Sequence, residues 1–392
     1  MPDHRLSVPR DRDDDFSAAA IAARQAFLRK QTESPLKHVA HHSIDPTVLP
    51  GNIESFSGVA QVPIGVVGPL RVNGEHAQGD FYVPLATTEG TLAASYGRGM
   101  RILHEVGGVK TTVIDDRMQR APAFQFEDAR DARDFGLWLR KHEDEIRAVA
   151  EATTRSGRLI EIEQYQSGPT VFCRFDYTTG DAAGQNLTGK ATEAACRWIV
   201  EQHPQIRFHV LESNFATDKK ASQINTLKTR GKRVVAEATI PNELIQRTTR
   251  ATTRQMYRSR QLATHAGLMS GSINNGSHSA NGITALFIAC GQDAANVAES
   301  STALVYAELR ENDDYYFSIT IPSLIVATYG GGTGLPTQRE CLELLGCYGA
   351  GKVRKFAEIV AATVLCGEIS LASAVAAGEW VDAHDQHGRN RP

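Results

Sequence analysis

Four polar residues carry the groups for one kind of chemistry. Glu89 lies in Val83-Pro84-Leu85-Ala86-Thr87-Thr88-Glu89-Gly90, Lys219 in Thr217-Asp218-Lys219-Lys220, Asp293 in Gly291-Gln292-Asp293-Ala294-Ala295, and His384 near the C-terminus. Small neighbours around the first three allow close backbone approach. Together they supply what reduction of a thioester to an alcohol needs. The carbonyl oxygen gains negative charge in each of two hydride steps, and the departing thiolate needs a proton if it is not to add back. A desolvated ammonium aimed at that oxygen stabilises the charge, and a neighbouring carboxylate keeps the ammonium protonated. A second acid and an imidazole can deliver protons.

Taken singly, each has a plainer reading. A Glu after two threonines suits a helix N-terminus, Lys219-Lys220 reads as a solvated pair, and His384 in a polar tail reads as a surface residue. Asp293 differs. It falls in what reads as an apolar helix over 285–297, where an unpaired charge is costly, so a buried partner is expected.

These groups need a frame. Residues 1–15 are charged and expected to fray, whereas 16–30, alanine-rich with Ile21, Phe27 and Leu28, predict an amphipathic helix. From 52 to 74, glycine, proline and valine alternate in strand-and-turn fashion. A helix should follow Glu89, because Leu92, Ala93, Ala94, Gly97, Met100 and Leu103 leave one small apolar face able to pack tightly. Residues 127–152 predict a charged helix, 159–164 and 170–177 strands, and 192–203 another helix: a compact α+β unit that reads as an insertion. Beyond it, helices over 242–267, 279–299 and 353–377 alternate with a strand over 315–328.

A chain of 392 residues exceeds one ordinary core, so two or three domains are expected. With 42 basic against 45 acidic residues, net charge −3, nothing global favours nucleic acid or an anionic membrane as partner. The six cysteines are scattered without a CxxC pair, which argues against structural zinc or a disulfide scaffold and for a reducing cytoplasm. The N-terminus is polar, without a signal-peptide pattern, and no apolar run is expected to reach the roughly 20 residues of a membrane span.

In this order and context the four segments closely resemble the 3-hydroxy-3-methylglutaryl-coenzyme A reductase family, from about residue 52 to 388. Gly180-Asp181-Ala182-Ala183-Gly184-Gln185-Asn186 resembles its nicotinamide motif, usually Gly-Asp-Ala-Met-Gly-Met-Asn, with both methionines replaced. Gly330-Gly331-Gly332-Thr333 matches its second, glycine-rich dinucleotide element, where backbone N–H groups can approach phosphate. No GxGxxG follows a strand, so a Rossmann domain is not expected.

The resemblance implies a multi-domain α+β and α/β fold. A helical N-terminal region (1–57) precedes a large acyl-coenzyme A domain (58–121 and 222–392). A small ferredoxin-like, NADP-binding domain (122–211) is inserted there, and a connecting catalytic loop (212–221) follows it. It assigns Lys219 to the oxyanion, Asp293 to holding Lys219 charged, Glu89 to proton donation at the aldehyde stage and His384 to the thiolate. Asp181, Asn186, Gly330, Gly331, Gly332 and Thr333 fall to the cofactor, and Arg158 to the 2'-phosphate of NADPH, with NADH the alternative. Arg120 matches the arginine on the acyl carboxylate, and Asn214, Lys220, His278 and Asn281 line the same pocket. Arg98 and Arg101, a turn apart, could meet coenzyme A phosphates. The implied activity is four-electron reduction of 3-hydroxy-3-methylglutaryl-coenzyme A to mevalonate, an isoprenoid precursor, and free coenzyme A. It uses two NADPH and no metal, in a cytoplasmic homodimer or dimer of dimers with the active site between subunits. Departures bear on the substrate: Glu212-Ser213-Asn214 replaces the usual Ser-Gly-Asn, and Arg260-Gln261-Leu262 stands where Lys-Asn-Leu is common. A reductase of another acyl thioester, or a non-catalytic acyl-coenzyme A or nucleotide-binding homologue, are the alternatives.

Overall fold

The computed structural model describes residues 7–378; His384 lies outside the described residues. The chain opens with α1 (Ala18–Thr32), capped by the Ser17 side chain on the Ala20 N–H. Among the described residues before it, Asp15 is tied down, against the expectation that 1–15 would fray. Asp15 accepts from the fully buried Arg24 at 2.6 Å, and Arg24 Nε also donates to the Phe56 carbonyl. An isolated buried guanidinium would be costly, so the acidic stretch folds back to meet it.

The hairpin β1 (Ile64–Gly74) and β2 (Gln78–Ala86) leads to α2 (Leu92–Glu105) and the long β3 (Val109–Arg120). After β3 come β4 (Ala123–Gln125), α3 (Ala129–Lys141), α4 (Glu143–Glu151), β5 (Arg158–Ser167), β6 (Thr170–Thr178), α5 (Gln185–Gln202), β7 (Phe208–Val210) and α6 (Gln223–Lys228). The chain continues through β8 (Gly231–Ile240), α7 (Asn242–Thr248), α8 (Thr253–Ser270), α9 (Ser279–Ala289), α10 (Val297–Ser300), β9 (Leu304–Leu309), β10 (Tyr315–Leu324), α11 (Pro336–Leu344) and α12 (Val353–Ala377).

Three predicted helices divide. The stretch 127–152 breaks at His142, whose ring nitrogen bonds the Trp138 carbonyl, and three acidic residues then start α4 where the helix dipole favours them. The stretch 242–267 breaks where Thr252 and Gln255 form a capping box for α8. The stretch 279–299 ends at Ala289, because Gly291 takes a left-handed φ of 67°. Conversely, α5 starts at Gln185, well before the expected 192, with Gly184 (φ 85°) as its cap.

β3 joins the two halves of the sheet. Its first half pairs with β8 from Lys110 to Arg117, and its last residues, Met118 to Arg120, pair with β6. Among the described residues the strand order is β7-β4-β6-β3-β8-β10-β9, with β1 pairing β2 and β3, and β5 pairing β6. A smaller core of Phe124, Phe135, Phe175, Tyr177, Ala195 and Ile199 fills the space between β4, β5, β6 and helices α3 to α5. The larger core surrounds α12, whose residues from Phe356 to Ser370 are all buried. At 25 residues α12 is long and apolar enough to cross a membrane by composition, contrary to the sequence expectation. Most of it is buried inside this fold, as a core helix of a globular domain is.

α12 positions the elements around the site. Its Glu358 accepts the backbone N–H groups of Glu75, His76 and Ala77, fixing the β1–β2 turn. Glu368 accepts those of Ser277, His278 and Ser279, fixing the start of α9. On α2, a Cβ at Gly99 would lie 1.9 Å from the Cys366 carbonyl, so the two helices touch backbone to backbone. That is the tight packing its small face implied.

Candidate active site

Lys219 Nζ lies 2.9 Å from Asp293 Oδ2, and both side chains are 43% exposed. Asp293 is not inside a helix or buried, as the sequence suggested. It is the N-cap of a short 3-10 turn, accepting from the Ala295 N–H at 3.0 Å. The expected partner exists, but as a half-open ion pair that can receive a ligand. Lys219 itself has φ 58°, and Asn214 and Thr217 in the same loop are also left-handed, at 71° and 57°. Strain of this kind persists only where surroundings hold it.

The holding network was not singled out in the sequence. Arg230, fully buried at the head of β8, donates to Asp218 Oδ1 at 2.9 Å and Glu299 Oε1 at 2.8 Å. Glu299 also accepts the Lys219 N–H at 3.1 Å. Burial pushes the Glu299 carboxyl up to about 7, with Arg230 and the Lys219 N–H pulling the other way. Gln185, where the motif usually has methionine, donates to Asp218 Oδ1 and Asn296 Oδ1, both at 3.0 Å. One amide thus ties the nicotinamide-motif helix α5 to the Lys219 loop and the Asp293 turn. A buried Arg ahead of an alternating apolar strand was the available signal for Arg230; nothing in the pattern marked Gln185.

Glu89 sits on a turn closed by its own N–H on Thr87 Oγ1, and its Oε2 accepts from Asn281 Nδ2 at 2.9 Å. The pair lines a cavity of about 330 Å³ with Val62, Ala86, Leu92 and Ile288. Glu89 is exposed in this chain. Asn281 lies in the first turn of α9 and Asp293 beyond its end. The helix, 11 residues and roughly 16 Å long, carries one pair near each end. His278 does not line that cavity. It is buried, its Nε2 meets Ser95 Oγ at 3.2 Å, and burial lowers its pKa to about 4, so it is neutral.

The remaining predicted residues divide. Arg98 bonds the Ser370 hydroxyl and carbonyl at 3.0 and 2.7 Å, tying α2 to α12, while Arg101 is exposed. Lys220 Nζ donates to the Asp218 carbonyl at 2.9 Å, and the Asn214 N–H donates to Glu212. Asp181 has a structural role: its two oxygens accept the N–H groups of Gly351, Lys352 and Val353, capping α12. Asn186 is exposed in the first turn of α5. Arg158 is 58% exposed near Glu151, and a Cβ at the adjacent Gly157 would lie 2.6 Å from Leu187, so Arg158 neighbours that same turn. Gly330 and Gly331 have φ of 83° and 56° with open space where side chains would stand, while Thr333 is buried on the Gly330 carbonyl. A Cβ at Gly291 would lie 2.3 Å from the Gly332 carbonyl, so the glycine strip abuts the Asp293 turn. Uncovered left-handed backbone beside an ammonium fits a phosphate-bearing nicotinamide cofactor.

A carboxylate-held ammonium near a glycine strip, on a mixed helix and sheet scaffold, is an arrangement suited to polarising a carbonyl oxygen. Comparison with known proteins narrows the class. The profile of the family described as hydroxymethylglutaryl-coenzyme A reductase matches residues 20–389, and the chain belongs to that family. It is 42% identical to 3-hydroxy-3-methylglutaryl-coenzyme A reductase of Pyrococcus abyssi, over 94% of this chain and 93% of that protein. It is 43% identical to that of Aeropyrum pernix, over 94% and 90%. In three dimensions it resembles the class II reductase of Streptococcus pneumoniae solved with NADPH in open conformations: TM-score 0.69, 22% identity, covering 92% of this chain and 99% of that one.

Proposed function

We propose that this protein reduces 3-hydroxy-3-methylglutaryl-coenzyme A to mevalonate and free coenzyme A, using two NADPH. The observation that carries this reading is the Lys219–Asp293 pair at 2.9 Å beside the glycine strip, in a chain whose relatives bear that enzyme's name. NADPH supplies hydride to the carbonyl carbon. Lys219 faces the oxygen on which charge develops, and Asp293 keeps the ammonium charged. Glu89, oriented by Asn281, donates the proton to the aldehyde oxygen; His384 protonates the departing thiolate. Asn186, the glycines at 330–332 and Arg158 hold the cofactor, and Arg120, Asn214, Lys220 and Asn281 face the acyl group. Consumption of NADPH with this thioester, and mevalonate identified by mass, tests the reading. No turnover with either NADPH or NADH would sink it.

The cofactor domain spans 122–211. Its strand order β7-β4-β6-β5, antiparallel throughout with helices between the first and second and the third and fourth strands in chain order, supports a ferredoxin-like arrangement. The connecting loop is 212–221, and the N-terminal region (1–57) and the large domain (58–121 with 222–392) complete the subunit. A homodimer or dimer of dimers is supported by the exposed Glu89, which needs a further surface to bury it. Six buried free thiols support a cytoplasmic setting.

Two results check the assignments. His384→Gln is expected to slow thioester reduction much more than reduction of the aldehyde supplied directly, because only the first releases thiolate; equal losses would reassign it. Arg158→Ala is expected to raise KM for NADPH and leave NADH nearly unaffected, since the guanidinium would meet only the 2'-phosphate. Parallel weakening of both cofactors, or a wild type that prefers NADH, would remove Arg158 from that role.

A further inference from the structure

Arg120, at the end of β3, is joined by hydrogen bonds to the Lys219 loop. Its Nη2 donates to the Gln185 carbonyl at 2.9 Å, and the Gln185 amide holds Asp218 beside Lys219. Its Nη1 is already taken by Glu212 Oε2 at 2.8 Å. The other Glu212 oxygen accepts the Asn214 N–H at 2.9 Å. Glu212 belongs to the same loop as Lys219, seven positions earlier in the chain.

This is a one-point contact where a guanidinium can make two, and Arg120 Nε is buried without a hydrogen-bond partner. Arg120 is 15% exposed and Glu212 35%, so water competes for the pair and its net worth is small. A carboxylate bound this way can be exchanged for another. An arriving acyl chain with its own carboxylate meets either an occupied arginine or, if it crowds in beside Glu212, a like charge.

We propose that Glu212 is a displaceable internal carboxylate that occupies Arg120 and disfavours acyl thioesters bearing a carboxylate until it swings away. The inference rests on the reading above that Arg120 faces the acyl group. It makes Glu212 a determinant of substrate choice, acting on affinity and not on the hydride step.

Steady-state kinetics of the full-length wild type, E212S, E212Q and E212D test it, with 3-hydroxy-3-methylglutaryl-coenzyme A and with 3-hydroxybutyryl-coenzyme A, which lacks the distal carboxylate. E212S and E212Q are expected to lower KM for the first by about threefold to fivefold, the scale of the weak ion pair that the substrate no longer has to displace. The neutral thioester should move little, and E212D should track the wild type. E212Q keeps the shape of the side chain, so it answers the question if E212S folds poorly. An unchanged or raised KM for the carboxylate substrate in both variants overturns the proposal, as does an equal shift for the two thioesters. A wild type that ignores 3-hydroxy-3-methylglutaryl-coenzyme A while E212S or E212Q accepts it upholds the proposal and removes the assigned native substrate. Failure of every variant with that substrate overturns both.

Discussion

Lys219→Ala is expected to lower kcat by about two or more powers of ten, the scale for removing one preorganised oxyanion donor, while the chain stays folded. The fold should survive because the ion pair to Asp293 is 43% exposed on both sides, and such pairs contribute about 0–1 kcal/mol. Alanine also inherits a loop held through Asp218 and the Lys219 backbone N–H by Arg230, Glu299 and Gln185. Stopped assays with excess enzyme, together with a thermal melt, separate chemistry from unfolding. Near-normal turnover by a folded variant would rule out the oxyanion role. A matched loss of kcat and melting temperature would make Lys219 structural.

The parts of this site legible in the sequence are those where chemistry and local pattern coincide. Glu89 and Lys219 each had a plainer reading alone, and with Asp293 they stood out by their order along the chain and by the family resemblance. α12 and the small face of α2 were legible as helical periodicity, although the membrane-length apolarity of α12 was not anticipated. What escaped was tertiary. Asp293 read as helical because 285–297 is mostly apolar, yet Gly291 must approach the Gly332 carbonyl, and that contact ends α9. Asp181 read as a cofactor ligand, yet a carboxylate three residues past a strand also caps a helix about 170 positions away. β8 alternates buried and half-buried residues and pairs with both β3 and β10, a central role visible only once its partners are known. Glu358 and Glu368 look like breaks in an apolar helix; each in fact gathers three backbone N–H groups of a segment packed against α12.

The same logic gives the largest expected loss of stability. Arg230→Met keeps the volume of the side chain and removes a cation that is fully buried between Asp218 and Glu299. Breaking a buried pair from one side costs about 3–5 kcal/mol, because the partner charge is left behind. Glu299 is 1% exposed, and its second oxygen is already buried without a hydrogen-bond partner. Its folded pKa is raised to about 7, chiefly by burial, and losing Arg230 removes a lowering influence and raises it further. A carboxyl raised in the folded state binds its proton more tightly there than in the unfolded chain. Stability therefore falls as pH rises from the ordinary Glu range, about 4.3, through the folded value. Urea unfolding should accordingly show the variant much weaker than wild type at pH 8 and closer to it near pH 5.5. Adding Glu299→Gln should recover part of the loss at pH 8, since no charge then remains to be buried. A deficit independent of pH, or unchanged by the second substitution, would place the cost in packing and not in the orphaned carboxylate. Turnover should fall with Arg230→Met as well, because Asp218 and the Lys219 backbone lose the group that fixes them.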